Sequence, residues 1–235
     1  MACHYTIALI CFRWQNPVAL AIFDLDNTLL NGDSDHAWGE FLVVRGLVNG
    51  DAFKQANDTF YQHYKDGSLD IVSYLRFALE PLTHYSMAEL SDLHRDFMSQ
   101  FVAPMRLAKA DALIQQHKDA GDHCMIMTAT NTFITRPIAE AMGIPDIISS
   151  EAEIKDGRYS GEPSGTPCFQ EGKVILLQER LAAKCLSLDG STFYSDSHND
   201  LPLLRLVDKP VAVDPDDRLQ AEAQRQGWPI ISLRS

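Results

Sequence analysis

The sequence is short of positive charge, of pairable cysteines and of long apolar runs, and each shortage closes off a class of function. Twenty Lys and Arg stand against 32 Asp and Glu, a formal net charge of −12, and the basic residues form no cluster. Such a chain is repelled by the phosphate backbone of nucleic acid and by anionic membrane surfaces, so neither is expected as a partner. The five cysteines (Cys3, Cys11, Cys124, Cys168 and Cys185) are odd in number and lack CxxC spacing. Apolar surroundings at Cys124 and Cys185 suit buried free thiols, so a reducing cytoplasm is the expected compartment. No segment approaches the roughly 20 apolar residues that cross a bilayer. The apolar run at residues 7–12 is short and has no Lys or Arg before it, unlike a secretory signal, and residues 1–16 are read as an extension outside the main fold. No internal repeat or low-complexity tract is present.

With 46% hydrophobic residues in 235, the chain can bury a sizeable core and carry a second small domain. Its organising stretch is AIFDLDNTLLN, residues 21–31. The unbroken apolar run at residues 18–23 reads as a strand buried on both faces of a parallel sheet. It stops at Asp24, Leu25, Asp26, Asn27 and Thr28. On a strand, carboxylates at i and i+2 project to one side, so Asp24 and Asp26 repel each other and call for a cation such as Mg2+. Taken alone, the pair is equally an acidic turn after a strand.

From residue 33 to about 103 the apolar spacing becomes helical, which predicts a separate helical unit. A first helix begins at Ser34 or Asp35 and stops near Gly46; a second spans about 51–65; a third is capped by Ser68 and runs to Pro81. A fourth opens at Ser86, where Glu89 completes a capping box, and ends before Pro104. Residues 17–32 and 104–235 then form one α/β core domain, since helices and strands alternate as in a parallel sheet covered by helices. A short strand is expected at Ile147 and Ile148, and a hairpin over residues 153–161 turning at Asp156-Gly157.

Open α/β sheets bind ligands beyond the carboxyl ends of their strands. Three strands here end in DLDNT, TATN and SDSHND, and Lys173 opens an intervening helix. Together these stretches offer carboxylates, a hydroxyl with backbone donors and an ammonium, the parts that phosphoryl transfer uses to stabilise charge on the transferring group. GTPCFQEGK is not a phosphate-binding P-loop, because Pro167 stands five before Gly172 and Val174 replaces the needed Ser or Thr. His36, His63, His84 and His94 lack metal spacing and read as surface or structural residues.

The order DxDxT, a hydroxyl after a second strand, a lone Lys, then DxxxD resembles the four motifs of the haloacid dehalogenase (HAD) superfamily over residues 18–213. The helical insertion is similar to the cap of its phosphoserine-phosphatase-like group. The resemblance implies a Rossmann-like core and a phosphatase acting through an aspartyl-phosphate. Asp24 would be the nucleophile and Asp26 the acid and base, with Thr128 and Lys173 holding phosphoryl oxygens. Asp24, the backbone carbonyl of Asp26, and Asp196 would hold Mg2+, braced by Asp200. Asn199 would make polar contacts nearby, and Ala129 would offer its backbone N–H. Ala129 and Ser195 stand where many members have glycine, and neither removes a reacting group.

Substrate choice should lie in the insertion. Residues 33–103 hold eleven Asp and Glu against five Lys and Arg, which suits an amine-bearing phosphate ester, although a solvated acidic surface explains most of them. Asp33 follows Asp24 by nine, as does the carboxylate that grips the substrate ammonium in phosphoserine phosphatases. The arginine those enzymes use for the serine carboxylate has no clear counterpart: the matching position is Leu69, with only Lys65 and Arg76 nearby. The stretch SDHAWGEFL resembles the branch to which histidinol-phosphate hydrolysis is attributed. Histidinol phosphate is therefore the first expectation, phosphoserine the second, and a non-catalytic binding protein on the same fold the alternative of another class.

Overall fold

A computed structural model describes residues 19–234; the expected extension at 1–16 lies outside the described residues. In chain order the elements are β1 (Leu20–Phe23), α1 (Ser34–Val44), α2 (Gly50–Asp66), α3 (Ile71–Leu79), α4 (Met87–Phe97), α5 (Ala103–Met105) and α6 (Ala108–Ala120). Then follow β2 (His123–Asn131), α7 (Thr132–Ala141), β3 (Ile147–Lys155), β4 (Arg158–Ser164), α8 (Glu171–Lys184), β5 (Thr192–Ser195), α9 (Leu201–Leu204), β6 (Lys209–Val213), α10 (Asp217–Gln226) and β7 (Ile230–Ile231).

Among the described residues the strands form one sheet in the order β4-β3-β2-β1-β5-β6-β7, parallel except for the β3–β4 hairpin. This is the α/β architecture read from the sequence. All four residues of β1 are buried, and they alternate between two apolar clusters. Leu20 and Ile22 pack with Met125, Phe193 and Leu219 on one side. Ala21 and Phe23 face the other, in a cluster that continues without interruption through Trp38, Phe41, Leu75 and Phe97 of the inserted helices. The helical insertion therefore shares its apolar core with one face of the sheet. The two connections that join it to the sheet also run side by side: Leu30 pairs with Arg106, and the Asn31 N–H donates to the Met105 carbonyl at 2.8 Å.

Three details depart from the sequence expectation. The third helix is capped by Asp70, whose carboxylate accepts from the N–H groups of Val72 and Ser73, rather than by Ser68. The fourth does not stop before Pro104. A turn of π-helix over Met98–Val102 carries it into α5, which contains Pro104. The expected short strand and the first arm of the hairpin are one continuous strand, β3. The hairpin turns where expected, with Asp156 and Gly157 both at positive φ.

Candidate active site

The chain reverses its direction of growth across the sheet between β1 and β5, since β2 lies on one side of β1 and β5 on the other. That switch opens a crevice at the carboxyl ends of the two strands. Asp24 follows β1 directly, tied to β5 by its N–H on the Tyr194 carbonyl at 2.9 Å. Asp196 follows β5 in the same way. Thr28 joins the two strand ends: its hydroxyl donates to Asp196 Oδ1 at 3.1 Å and accepts from the Asp196 N–H at 3.0 Å.

Lys173 reaches the crevice from the first turn of α8. Gly172 is what lets that helix begin there, because a Cβ at this position would sit 2.1 Å from the Pro167 carbonyl oxygen. The glycine beside the lysine thus answers a backbone approach. The Lys173 ammonium, 3% exposed, donates to Asp24 Oδ1 at 2.9 Å and to Asp200 at 2.7–2.8 Å. The Ser195 hydroxyl also donates to Asp200 at 2.7 Å, so the serine that departs from the glycine pattern adds a brace to the carboxylate.

Asp26 lies in the turn after β1 and is held from two sides. Its Oδ1 accepts from the Ser34 N–H at 2.7 Å, and its Oδ2 accepts from the Thr130 hydroxyl at 2.8 Å, with the Thr128 hydroxyl at 3.5 Å. The pairing register of β2 with β3 shifts between Met127 and Asn131. Thr128 and Thr130, two apart in that stretch, place both hydroxyls toward Asp26. Thr130 was not among the residues expected from the sequence. Its only signal there is the i+2 spacing from Thr128.

Electrostatics set the chemistry this cluster can do. Burial first, and the charge of Asp200 next among the raising influences, lift Asp24 to about 7 despite Lys173. Burial and the charge of Asp33 lift Asp26 to about 6, against the bonds from Ser34 and Thr130. Asp196 is pushed well above the usual range by burial and by Asp24 and Asp200. Burial works against a charged Lys173, but Asp200 and Asp24 more than offset it and hold the ammonium protonated. Asp24, Asp196 and Asp200 are three carboxylates against one ammonium, which pairs with Asp24 and Asp200. An all-oxygen donor set with excess negative charge fits a hard divalent cation, Mg2+ in particular. A separate acidic group, His36, Glu40 and Asp58, brings ligand atoms within 4.8 Å of one another on the insertion. Lys54 is already ion-paired there with Glu40 and Asp58, which makes it the poorer cation site.

Above the cluster the inserted helices close a cavity lined by Asp24, Asp26, Thr128, Ala129 and Thr130 below and by Asp33, Asp35, His36, Tyr61, Tyr64 and Tyr74 above. Asp33 is the N-cap of α1, its Oδ1 accepting from the N–H groups of Asp35 and His36. Asn199, expected beside the substrate, instead bridges the rim: its amide donates to the Tyr64 carbonyl at 3.0 Å and accepts from Gln170 at 3.1 Å. Arg218 likewise donates to the Asp66 carbonyl at 2.9 Å, so core side chains hold the end of α2 down. Gly67, which ends α2 at φ 74°, is closely approached by His198, 2.7 Å from where its Cβ would be.

Residues 21–205 match the model of the haloacid dehalogenase-like hydrolases. The chain belongs to that family. It is 47% identical to a histidinol-phosphatase of Neisseria meningitidis serogroup C, over 92% of this chain and 99% of the relative. It is 34% identical to a phosphoserine phosphatase of Mycobacterium tuberculosis, over 92% and 71% respectively. A crystal structure of a Bordetella pertussis protein of unknown function superposes with a TM-score of 0.87 at 40% identity, covering 93% of this chain and 100% of that one. A substrate-bound phosphoserine phosphatase shares the fold at TM-score 0.68 and 15% identity, over 94% and 95%. Within the family the chain is a phosphatase.

Proposed function

We propose that the protein hydrolyses a small amine-bearing phosphate monoester that carries no carboxylate, with histidinol phosphate as the leading substrate. The observation that carries this reading is the charge of the cavity: Asp24, Asp26 and Asp33 line it and, among the described residues, no Lys or Arg does. Arg76 is turned outward to Glu162 at 2.8 Å, and Lys65 lies 4.2 Å over the Tyr61 ring. A substrate carboxylate would meet like charge there, whereas an ammonium meets Asp33, whose Oδ2 is left over from the helix cap.

In this reading Asp24 attacks phosphorus and the ester P–O bond breaks, leaving an aspartyl-phosphate and an alkoxide that takes the proton of Asp26. Lys173 and the Thr128 hydroxyl hold the phosphoryl oxygens. Asp26, now ionised, removes a proton from water as the water attacks the acyl-phosphate, releasing inorganic phosphate and regenerating Asp24. A folded-state value of about 6 suits a group that gives and then takes a proton near neutrality. Asp24, the Asp26 carbonyl and Asp196 would hold Mg2+, with Asp200 bracing them, and the ion would neutralise charge on the nucleophile and phosphoryl group. The cavity measures about 30 Å³, room for one or two waters, and the ester would enter it with the inserted helices displaced.

The test is phosphate release with Mg2+ from histidinol phosphate and phosphoserine. A higher kcat/KM for histidinol phosphate is expected, and the reverse order would overturn the substrate reading. Asp24→Asn should abolish turnover while the fold survives; retained activity would refute the nucleophile.

A further inference from the structure

Asp35 has no task in the reaction set out above, and its position is an expensive one for a carboxylate. The residue is 4% exposed in the first turn of α1 and lines the cavity two residues after Asp33. The Tyr74 hydroxyl supports the carboxyl, yet its buried Oδ2 has no hydrogen-bond donor. A buried acceptor left without a donor has lost its hydration with nothing to replace it, a cost that grows when the group is charged. A leucine in the same place would avoid that cost, so the atom marks where a ligand donor belongs.

The wall around it is aromatic, made by Phe60, Tyr61, Tyr64 and Tyr74. Aromatic faces beside a carboxylate suit a flat ring that carries N–H, which can stack on the phenols and donate from its edge. We propose that Asp35 Oδ2 accepts a ring N–H of the substrate, seating a heteroaromatic ring of the imidazole class among these tyrosines while Asp33 takes the ammonium. The assignment rests on the amine-bearing substrate reading given above and narrows it. Two acceptors at the start of one helix call for two nitrogen donors on one small molecule. An alkyl amino-alcohol phosphate would satisfy Asp33 and leave Asp35 unpaired.

The experiment compares histidinol phosphate with alaninol phosphate, which keeps the ammonium and lacks the ring. Wild-type protein, Asp35→Leu and Asp35→Asn are assayed with Mg2+, and the melting temperature of each is recorded. Asp35→Leu should lower kcat/KM for histidinol phosphate about 10- to 100-fold, mainly through KM. It should leave alaninol phosphate within about twofold, with the melting temperature unchanged or raised. Asp35→Asn keeps an acceptor and should recover part of the loss. An equal loss on both substrates, or no loss on histidinol phosphate, would overturn this role for Asp35 while leaving the amine-bearing substrate reading in place. If wild-type protein hydrolysed neither ester but did hydrolyse para-nitrophenyl phosphate, the substrate reading itself would fall and this inference with it.

Discussion

Removing divalent cations should make the protein less stable as pH rises toward neutrality, opposite to the usual behaviour of ion-paired carboxylates. Burial pushes Asp24 up to about 7 in the fold, against about 3.9 for an ordinary aspartate. Between those values the folded chain keeps a proton that the unfolded chain releases, so stability falls with rising pH. The stabilisation is complete below about pH 4 and is lost as pH climbs through about 7. One such proton is worth about 1.4 kcal/mol per pH unit, which over roughly three units gives at most about 4 kcal/mol. At about 2–4 °C per kcal/mol for a chain of this size, the melting temperature should drop by as much as roughly 8–16 °C. Asp26, at about 6, adds a change of the same sign over a narrower window. The assay is thermal unfolding with a chelator at about pH 4, 5.5 and 7.5, for wild type and for Asp24→Asn. Groups other than Asp24 titrate in both proteins, so the difference between their profiles isolates it. Excess Mg2+ should raise the wild-type melting temperature strongly at about pH 7.5 and little at about pH 5, because metal ligation requires ionised carboxylates. Identical pH profiles for the two proteins would refute the reasoning.

Lys173→Met should destabilise the chelated protein by about 3–5 kcal/mol in urea unfolding, since it leaves Asp24 and Asp200 buried without their ammonium. Asp146 is a carboxylate of the opposite kind: although burial works against it, Lys184, His123 and Arg180 hold it below the ordinary range. Its contribution is present above about pH 4 and lost as pH falls further, so Asp146→Asn should flatten the acid limb of the stability curve. Gly172→Ala should displace Lys173 and lower kcat more than roughly tenfold, because the added methyl would meet the Pro167 carbonyl. Arg218→Ala removes a bond that holds the end of α2 and should raise KM about two- to tenfold, with the smaller effect on kcat.

The sheet and its strand ends were legible because their signals are local. An unbroken apolar run marks β1, the Ser86–Glu89 capping box is made as the spacing required, and the DG pair turns the hairpin. What escaped the sequence is what depends on long-range closure. Thr130 meets Asp26 across 104 positions and Thr28 meets Asp196 across 168, and no window of neighbouring residues registers either pairing. The resemblance puts Asn199 beside the substrate, whereas its bond to the Tyr64 carbonyl follows the position of α2, which no neighbouring residue signals. The same holds for the apolar core: helical periodicity over residues 33–103 reads as a separate unit, yet Trp38, Phe41 and Phe97 pack into one cluster with Phe23.

Leu69 stands at the position that matches the carboxylate-binding arginine. In the fold, the neighbouring cations are engaged elsewhere: Arg76 with Glu162 of the β4 strand and Lys65 over the Tyr61 ring. Freeing Arg76 to enter the cavity would cost that ion pair, which is exposed and worth at most about 1 kcal/mol. The ion pair is therefore too weak to be what keeps a guanidinium out. The stronger influence is placement, since Leu69 and Ile71 line the cavity while Arg76 lies further along α3 and faces the hairpin. Leu69→Arg should accordingly bring a cation to the wall beside Asp33 and shift kcat/KM from histidinol phosphate toward phosphoserine. A variant that folds, keeps its activity and leaves that ratio unchanged would show that the missing arginine does not set the preference.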